Sequence, residues 1–202
     1  MRSRERQSSV GASIARECAY TAVFVSLTIA VQFVLSFVPG VELVTVLFAA
    51  YSAVMGVRRA LTAATAFSLL RQVIFGVEPK VLTLYLIYFN LLALTFALVC
   101  KEKYTPKKRL IFAVIVASLC TVLFTLFDDI LTPLWYGYSK RVAEIYFYAS
   151  LPFMGIQVVC SAVSTLCLFL PLYNIFLPLR KKLERVEKTE NKLENNLESV
   201  DK

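Results

Sequence analysis

Six apolar segments run through this chain, at about residues 15–37, 41–56, 60–77, 81–100, 110–127 and 145–176, and charge collects in the short stretches between them. Roughly 20 apolar residues at 1.5 Å each are what a helix needs to cross the ~30 Å hydrocarbon core of a membrane. Lipid offers the backbone no hydrogen-bond partners, so such segments must satisfy their own N–H and C=O groups, as helices do. Of the 202 residues, 58% are hydrophobic and 18% charged, against about 45–50% apolar in a soluble domain. The sequence therefore predicts an all-α membrane protein, one bundle of six transmembrane helices. Pro39-Gly40 marks a turn after the first helix, Val57-Arg58-Arg59 a tight connection, and Glu78-Pro79-Lys80 the end of the third helix. Residues 128–144 mix charge with aromatics and read as a segment at the membrane surface. The last helix is expected to kink at Pro152 and to end near Pro171.

Charge sets the orientation. With six spans, one side collects Arg2, Arg4, Arg6, Arg16, Arg58, Arg59, the basic loop from Lys101 to Arg109, and Arg180, Lys181 and Lys182. The other side has Lys80, Lys140 and Arg141 against Glu42, Glu78, Asp128, Asp129 and Glu144. The positive-inside rule then puts both termini in the cytoplasm. The net charge of +8 is this topology signal plus contact with anionic lipid, and calls for no nucleic acid. The basic, then apolar, N-terminus lacks an A-x-A cleavage pattern and reads as an uncleaved first span. Residues 1–176 form the expected membrane domain and 177–202 a charged helical tail. In the tail, Leu183, Val186, Leu193, Leu197 and Val200 follow a 3-4 spacing that suits a short coiled coil, a helix on a partner, or a solvated helix.

Without a single histidine, haem and zinc sites that need His ligands and His-based acid–base chemistry are excluded. Cys18, Cys100, Cys120, Cys160 and Cys167 show no CxxC spacing and read as buried free thiols. The adjacent Asp128 and Asp129 point about 100° apart on a helix, poorly placed to share a proton. The expectation is a protein that is not an enzyme and carries no metal or cofactor.

Polar residues inside the spans carry the functional signal, because they normally face the bundle or a cavity. A charge at mid-bilayer costs roughly 2.5–3.5 kcal/mol on insertion scales, yet Arg71 stands about 10 Å below the outer surface by helical rise. Asn90 lies about 14 Å down, Gln157 about 18 Å and Tyr85 about 6 Å by the same rise. Glu42 and Asp128 mark outer helix ends. Tyr146, Ser150, Phe153 and Gln157 share one face of the last helix, with Trp135 and Tyr136 expected above them in the outer loop. Aromatic walls with a few fixed polar groups describe an outward-facing small-molecule pocket. An Arg71–Asp128 ion pair acting as packing glue, with an ordinary interfacial aromatic belt, would leave the same pattern without a ligand.

Small residues form a second pattern. Gly11, Ala15 and Ala19 repeat every four residues, as do Ala49 and Ala53, and Ala60, Ala64 and Ser68. Such faces let helices approach closely. In the second and third helices they suit internal packing. In the first they begin at the cytoplasmic edge, where a partner could dock.

Over its six spans, but not its tail, the chain resembles the substrate-binding S components of energy-coupling factor (ECF) vitamin transporters. The resemblance rests on size and topology, on the face of Ala15 and Ala19, on the connector FVPGVELVTVLF, similar to a P-N-V-E-L-V segment of that family though with Gly40 where Asn is frequent, and on the junction MGVRRAL. It implies an S component that captures a vitamin or related micronutrient from outside with its loops and helices 4 to 6, then topples in the membrane. It also implies two kinds of partner, a transmembrane coupling (T) protein docked on the Ala15–Ala19 face and two ABC ATPases. The chain itself has no GxxxxGK[ST] phosphate loop. Arg71 would then favour an anionic or zwitterionic substrate through a charge-assisted bond, with Asp128 holding it in the empty state. Glu42, Arg71, Tyr85, Asn90, Asp128, Trp135, Tyr146 and Gln157 are the expected substrate-binding residues. The alternative is a six-span scaffold or assembly factor that does not transport.

Overall fold

A computed structural model describes the backbone of residues 2–38, 43–100 and 104–200. The described chain is helical and has no strand. Its helices are α1 (Arg2–Leu35), α2 (Val44–Met55), α3 (Val57–Phe75), α4 (Pro79–Val99), α5 (Pro106–Tyr136) and α6 (Lys140–Val200). Pro39-Gly40 and Glu42 lie outside the described residues. Prolines open α4 and α5, where the missing N–H costs nothing. Gly56, with φ +81°, is the whole joint between α2 and α3. The basic Arg58 and Arg59 therefore sit in the first turn of α3, rather than in the expected connection.

Two expectations about the last third of the chain are corrected. Residues 128–136 are not a separate segment after the fifth helix, and Trp135 and Tyr136 are not in a loop. α5 runs on through Asp128, Asp129 and Trp135, and turns at Gly137, which is left-handed at φ +64°. The charges are tolerated because Asp128 and Asp129 accept hydrogen bonds, from Lys80 and Thr132 and from Ser150 respectively. Neither does the last helix end near Pro171. α6 continues through Pro152, Pro171 and Pro178, as proline-bearing spans do when neighbouring helices support the freed carbonyls. Leu183 is buried with the bundle, so the start of the charged tail packs on it without a break in the helix.

Among the described residues, four helical stretches are long and apolar enough to cross a membrane: Ile14–Leu35, Pro79–Val99, Pro106–Tyr136 and Lys140–Val186. Large apolar side chains such as Val73, Leu119, Leu123, Ile130, Val159 and Val163 cover the outer faces. This is the surface of a helical protein built for lipid, and it fits a multi-pass membrane protein. α2 differs. Its 12 residues span about 18 Å, short of the hydrocarbon core, and every one is buried. Apolar on all sides, it forms the centre of the bundle, packed mainly on α6 and α4, while α5 packs on α6 and α3 on α4. Phe48 of α2 is the aromatic hub, with ring centroids 5.2 Å from Phe24, 5.1 Å from Phe67 and 5.0 Å from Phe89. Ala49, Ala53, Ala60, Ala64 and Ser68 are all buried, as internal packing faces should be. The thiols are free, but only Cys100 and Cys120 are buried, whereas Cys18 and Cys167 are exposed. On an apolar outer face a thiol needs no core to shelter it.

Cross-helix polar contacts sort the bundle into two ends. At the basic end, Arg59 Nη2 donates to Glu17 Oε1 at 2.6 Å, and Arg109 stacks on Tyr173 at 4.3 Å. At the acidic end, Tyr136 Oη donates to Glu78 Oε1 at 2.7 Å and Lys80 Nζ to Asp128 Oδ1 at 3.2 Å.

Candidate functional site

The acidic end holds a cavity of about 300 Å³ between α5 and α6, walled by Phe124, Thr125, Asp128, Asp129, Tyr146, Ala149, Ser150, Phe153 and Gln157. Helical spacing builds it from both sides. On α6, Tyr146, Ser150, Phe153 and Gln157 form the i, i+4, i+7, i+11 face that the sequence indicated, and all four reach the cavity. On α5, the buried stripe Ala113, Ala117, Thr121, Thr125, Asp129 and Thr132 turns from small to polar as it approaches the acidic end.

Asp128 is held by three donors. Lys80 Nζ and Thr132 Oγ1 donate to its Oδ1 at 3.2 and 3.0 Å, and Tyr146 Oη to its Oδ2 at 3.0 Å. Asp129 faces a different partner, Ser150 Oγ, which donates to its Oδ2 at 2.6 Å. The two carboxylates thus engage separate donors, as their 100° offset requires. Thr125 Oγ1 lies 3.3 Å from Gln157 Oε1 deeper in the cleft. Hydrogen bonds fix the polar groups while Phe124, Phe153 and Tyr146 supply apolar area, the composition of a small-molecule site at the lower end of the usual 300–1,000 Å³ range.

Arg71 is not part of this constellation, and Asp128 pairs with Lys80 rather than with it. The Arg71 guanidinium lies between rings, with Cζ 4.2 Å from the centroid of Tyr85 and 4.7 Å from that of Phe75. Gln32 Nε2 donates to Tyr85 Oη at 3.0 Å. The backbone N–H of Glu78 donates to Gln72 Oε1 at 3.2 Å. Arg71 and Tyr85 therefore form a second polar cluster among α1, α3 and α4. Asn90 belongs to neither cluster, since its Nδ2 donates to Leu86 O at 2.7 Å and its Oδ1 accepts from Thr65 at 3.2 Å. Trp135 is 48% exposed on the outer surface of α5, where an interfacial anchor would stand. Glu42 is outside the described residues. Ala15 and Ala19 are exposed on α1, free of the bundle's own packing.

Several contributors were not anticipated. Lys80 is a natural counter-ion on a side rich in carboxylates, but charge alone does not say which one it meets. Thr125 is four residues before Asp129 and Thr132 four after Asp128, so the helical spacing of α5 carries them. Gln32 and Gln72 were polar residues in apolar helices and carried the same signal as Arg71.

A larger apolar groove of about 900 Å³ runs along α6 past Pro152, Gly155, Val159, Val163 and Cys167 to Leu43. It offers surface for van der Waals contact but no charge that would select a ligand, so the smaller polar cavity is the better candidate. No protein-family model, curated protein or solved structure matches the chain.

Proposed function

We propose that the chain is the substrate-capturing S component of an ECF-type importer. It would be a six-span protein of the bacterial plasma membrane with both termini in the cytoplasm, taking up a vitamin or related micronutrient from outside. The observation that carries this reading is the convergence of Asp128, Asp129, Tyr146, Ser150 and Gln157 on one cavity at the acidic end. A purely structural bundle has no need to gather fixed polar groups around open space. The contrast in charge between the two ends supports the orientation, with the basic end inward. α2 is too short to cross alone, and its burial on every side supports a place for it inside the bundle rather than at its lipid face.

Energy has to come from partners, a transmembrane coupling protein and two ABC ATPases. The exposed Ala15–Ala19 stripe of α1 supports a close helix–helix contact with the coupling protein. Leucine at both positions would hold the partner's backbone away. The A15L/A19L variant, tagged and purified from its host, is expected to lose at least about tenfold of the co-purifying ATPases, since about 1.4 kcal/mol of lost contact suffices. Its melting temperature should stay within about 2 °C of the parent, because the two side chains are exposed. Undiminished co-purification would remove α1 as the docking face, and absence of ATPases from the parent protein as well would count against the importer reading itself.

A further inference from the structure

We infer that Arg71 and Gln72, with Gln32 and Tyr85, form an anion-accepting site among α1, α3 and α4, one that takes a carboxylate or phosphate oxygen. Arg71 has no ion pair among the described residues. Its Nε is buried without an acceptor, and so is Nε2 of Gln72, a residue 4% exposed. Two orphaned donors on neighbouring residues of α3, one of them the guanidinium's own Nε, leave positive potential unsatisfied in an apolar setting, where unpaired polar groups are costly. Phe75 and Tyr85 stack on the guanidinium, leaving its edges for a planar, bidentate anion. Gln32 fixes Tyr85 through the hydroxyl, and its own Oε1 is buried without a donor, so it suits a hydroxyl beside the anionic group.

The site is separate from the α5–α6 cavity but close to it. Tyr85, which carries the guanidinium on its face, meets Phe124 edge-on at 6.0 Å and 82°, and Phe124 is a wall of that cavity. The site stands on its orphaned donors. That its anion belongs to the captured micronutrient rests on the proposed function.

The test is thermal unfolding of the full-length protein in a neutral detergent, titrated with sodium phosphate and, separately, with sodium chloride at matched ionic strength. Phosphate is expected to raise the melting temperature saturably, by about 3–5 °C at ten times its half-saturating concentration, while chloride does not. Arg71→Met should abolish the shift and Gln72→Leu should raise the half-saturating concentration about tenfold. Lys140→Gln, at an exposed cation outside both polar clusters, should leave it unchanged. If Arg71→Met does not fold, Arg71→Lys and Gln72→Leu carry the test, each with weakened saturation. Native mass spectrometry of protein reconstituted with phosphatidylglycerol separates the sources. A lipid retained by the parent and lost from the variant assigns the anion to a headgroup, whereas saturation by phosphate without lipid retention assigns it to a soluble ligand. Equal effects of phosphate and chloride with no retained lipid, or variants that respond like the parent, would overturn the site. A phosphate response in a protein that never co-purifies with ATPases would keep the site and remove the importer reading.

Discussion

Asp128→Ala is expected to destabilise the bundle by about 3 kcal/mol, a fall in melting temperature of about 6–12 °C for a chain of this size. The reason lies in what the carboxylate leaves behind. Lys80 loses its counter-ion with its side chain 13% exposed, and the hydroxyls of Thr132 and Tyr146 lose the acceptor that holds them. Removing one member of a shielded pair costs more than the pair contributes, because the other charge stays in place. The double variant Asp128→Ala/Lys80→Met should recover at least half of the loss, since the stranded charge is gone. Melting of the three proteins in the same detergent checks this. A fall of less than about 2 °C, or a double variant worse than the single, would show that the polar cluster does not hold α4, α5 and α6 together.

Phe48→Ala should cost about 3–5 kcal/mol, with the effect confined to the centre of the bundle. Lipid tails are as apolar as a phenyl ring, so the loss comes from van der Waals contact rather than from exclusion of water. Phe48 is fully buried and touches the rings of Phe24, Phe67 and Phe89 from three other helices. An alanine would leave a void that rigid rings cannot close. Phe48→Leu should recover most of the stability. Neither change should alter the occupancy of the α5–α6 cavity by more than about twofold, because Phe48 is not one of its walls. Melting curves for the two variants, with retained ligand measured in parallel, test both statements.

The helices were legible because long apolar runs leave a chain few ways to satisfy its backbone in lipid. The centre of the bundle was less so. α2 and its neighbours are similarly apolar, and nothing in composition says that Val44–Met55 is enclosed on every side while α5 and α6 face outward. The end of α5 is not legible locally. Asp128, Asp129 and Pro133 look like a helix end, and only tertiary partners, Lys80 on α4 and Tyr146 and Ser150 on α6, make them compatible with a continuing helix. The candidate site was legible on α6, where the spacing of Tyr146, Ser150, Phe153 and Gln157 puts all four on the face that lines the cavity. It was not legible for Arg71. Depth along a helix places a residue on one axis only, and the direction around α3 that takes Arg71 to Tyr85 instead of Asp128 depends on how α3 packs on α4.

The central claim is that the acidic end holds a small molecule for import, and native mass spectrometry of the protein purified gently from its own host tests it most directly. The account predicts a bound organic molecule of defined mass, retained by the parent and lost when Ser150→Leu fills the α5–α6 cavity. A ligand-free protein that travels only with cell-envelope proteins would contradict it and favour a membrane scaffold.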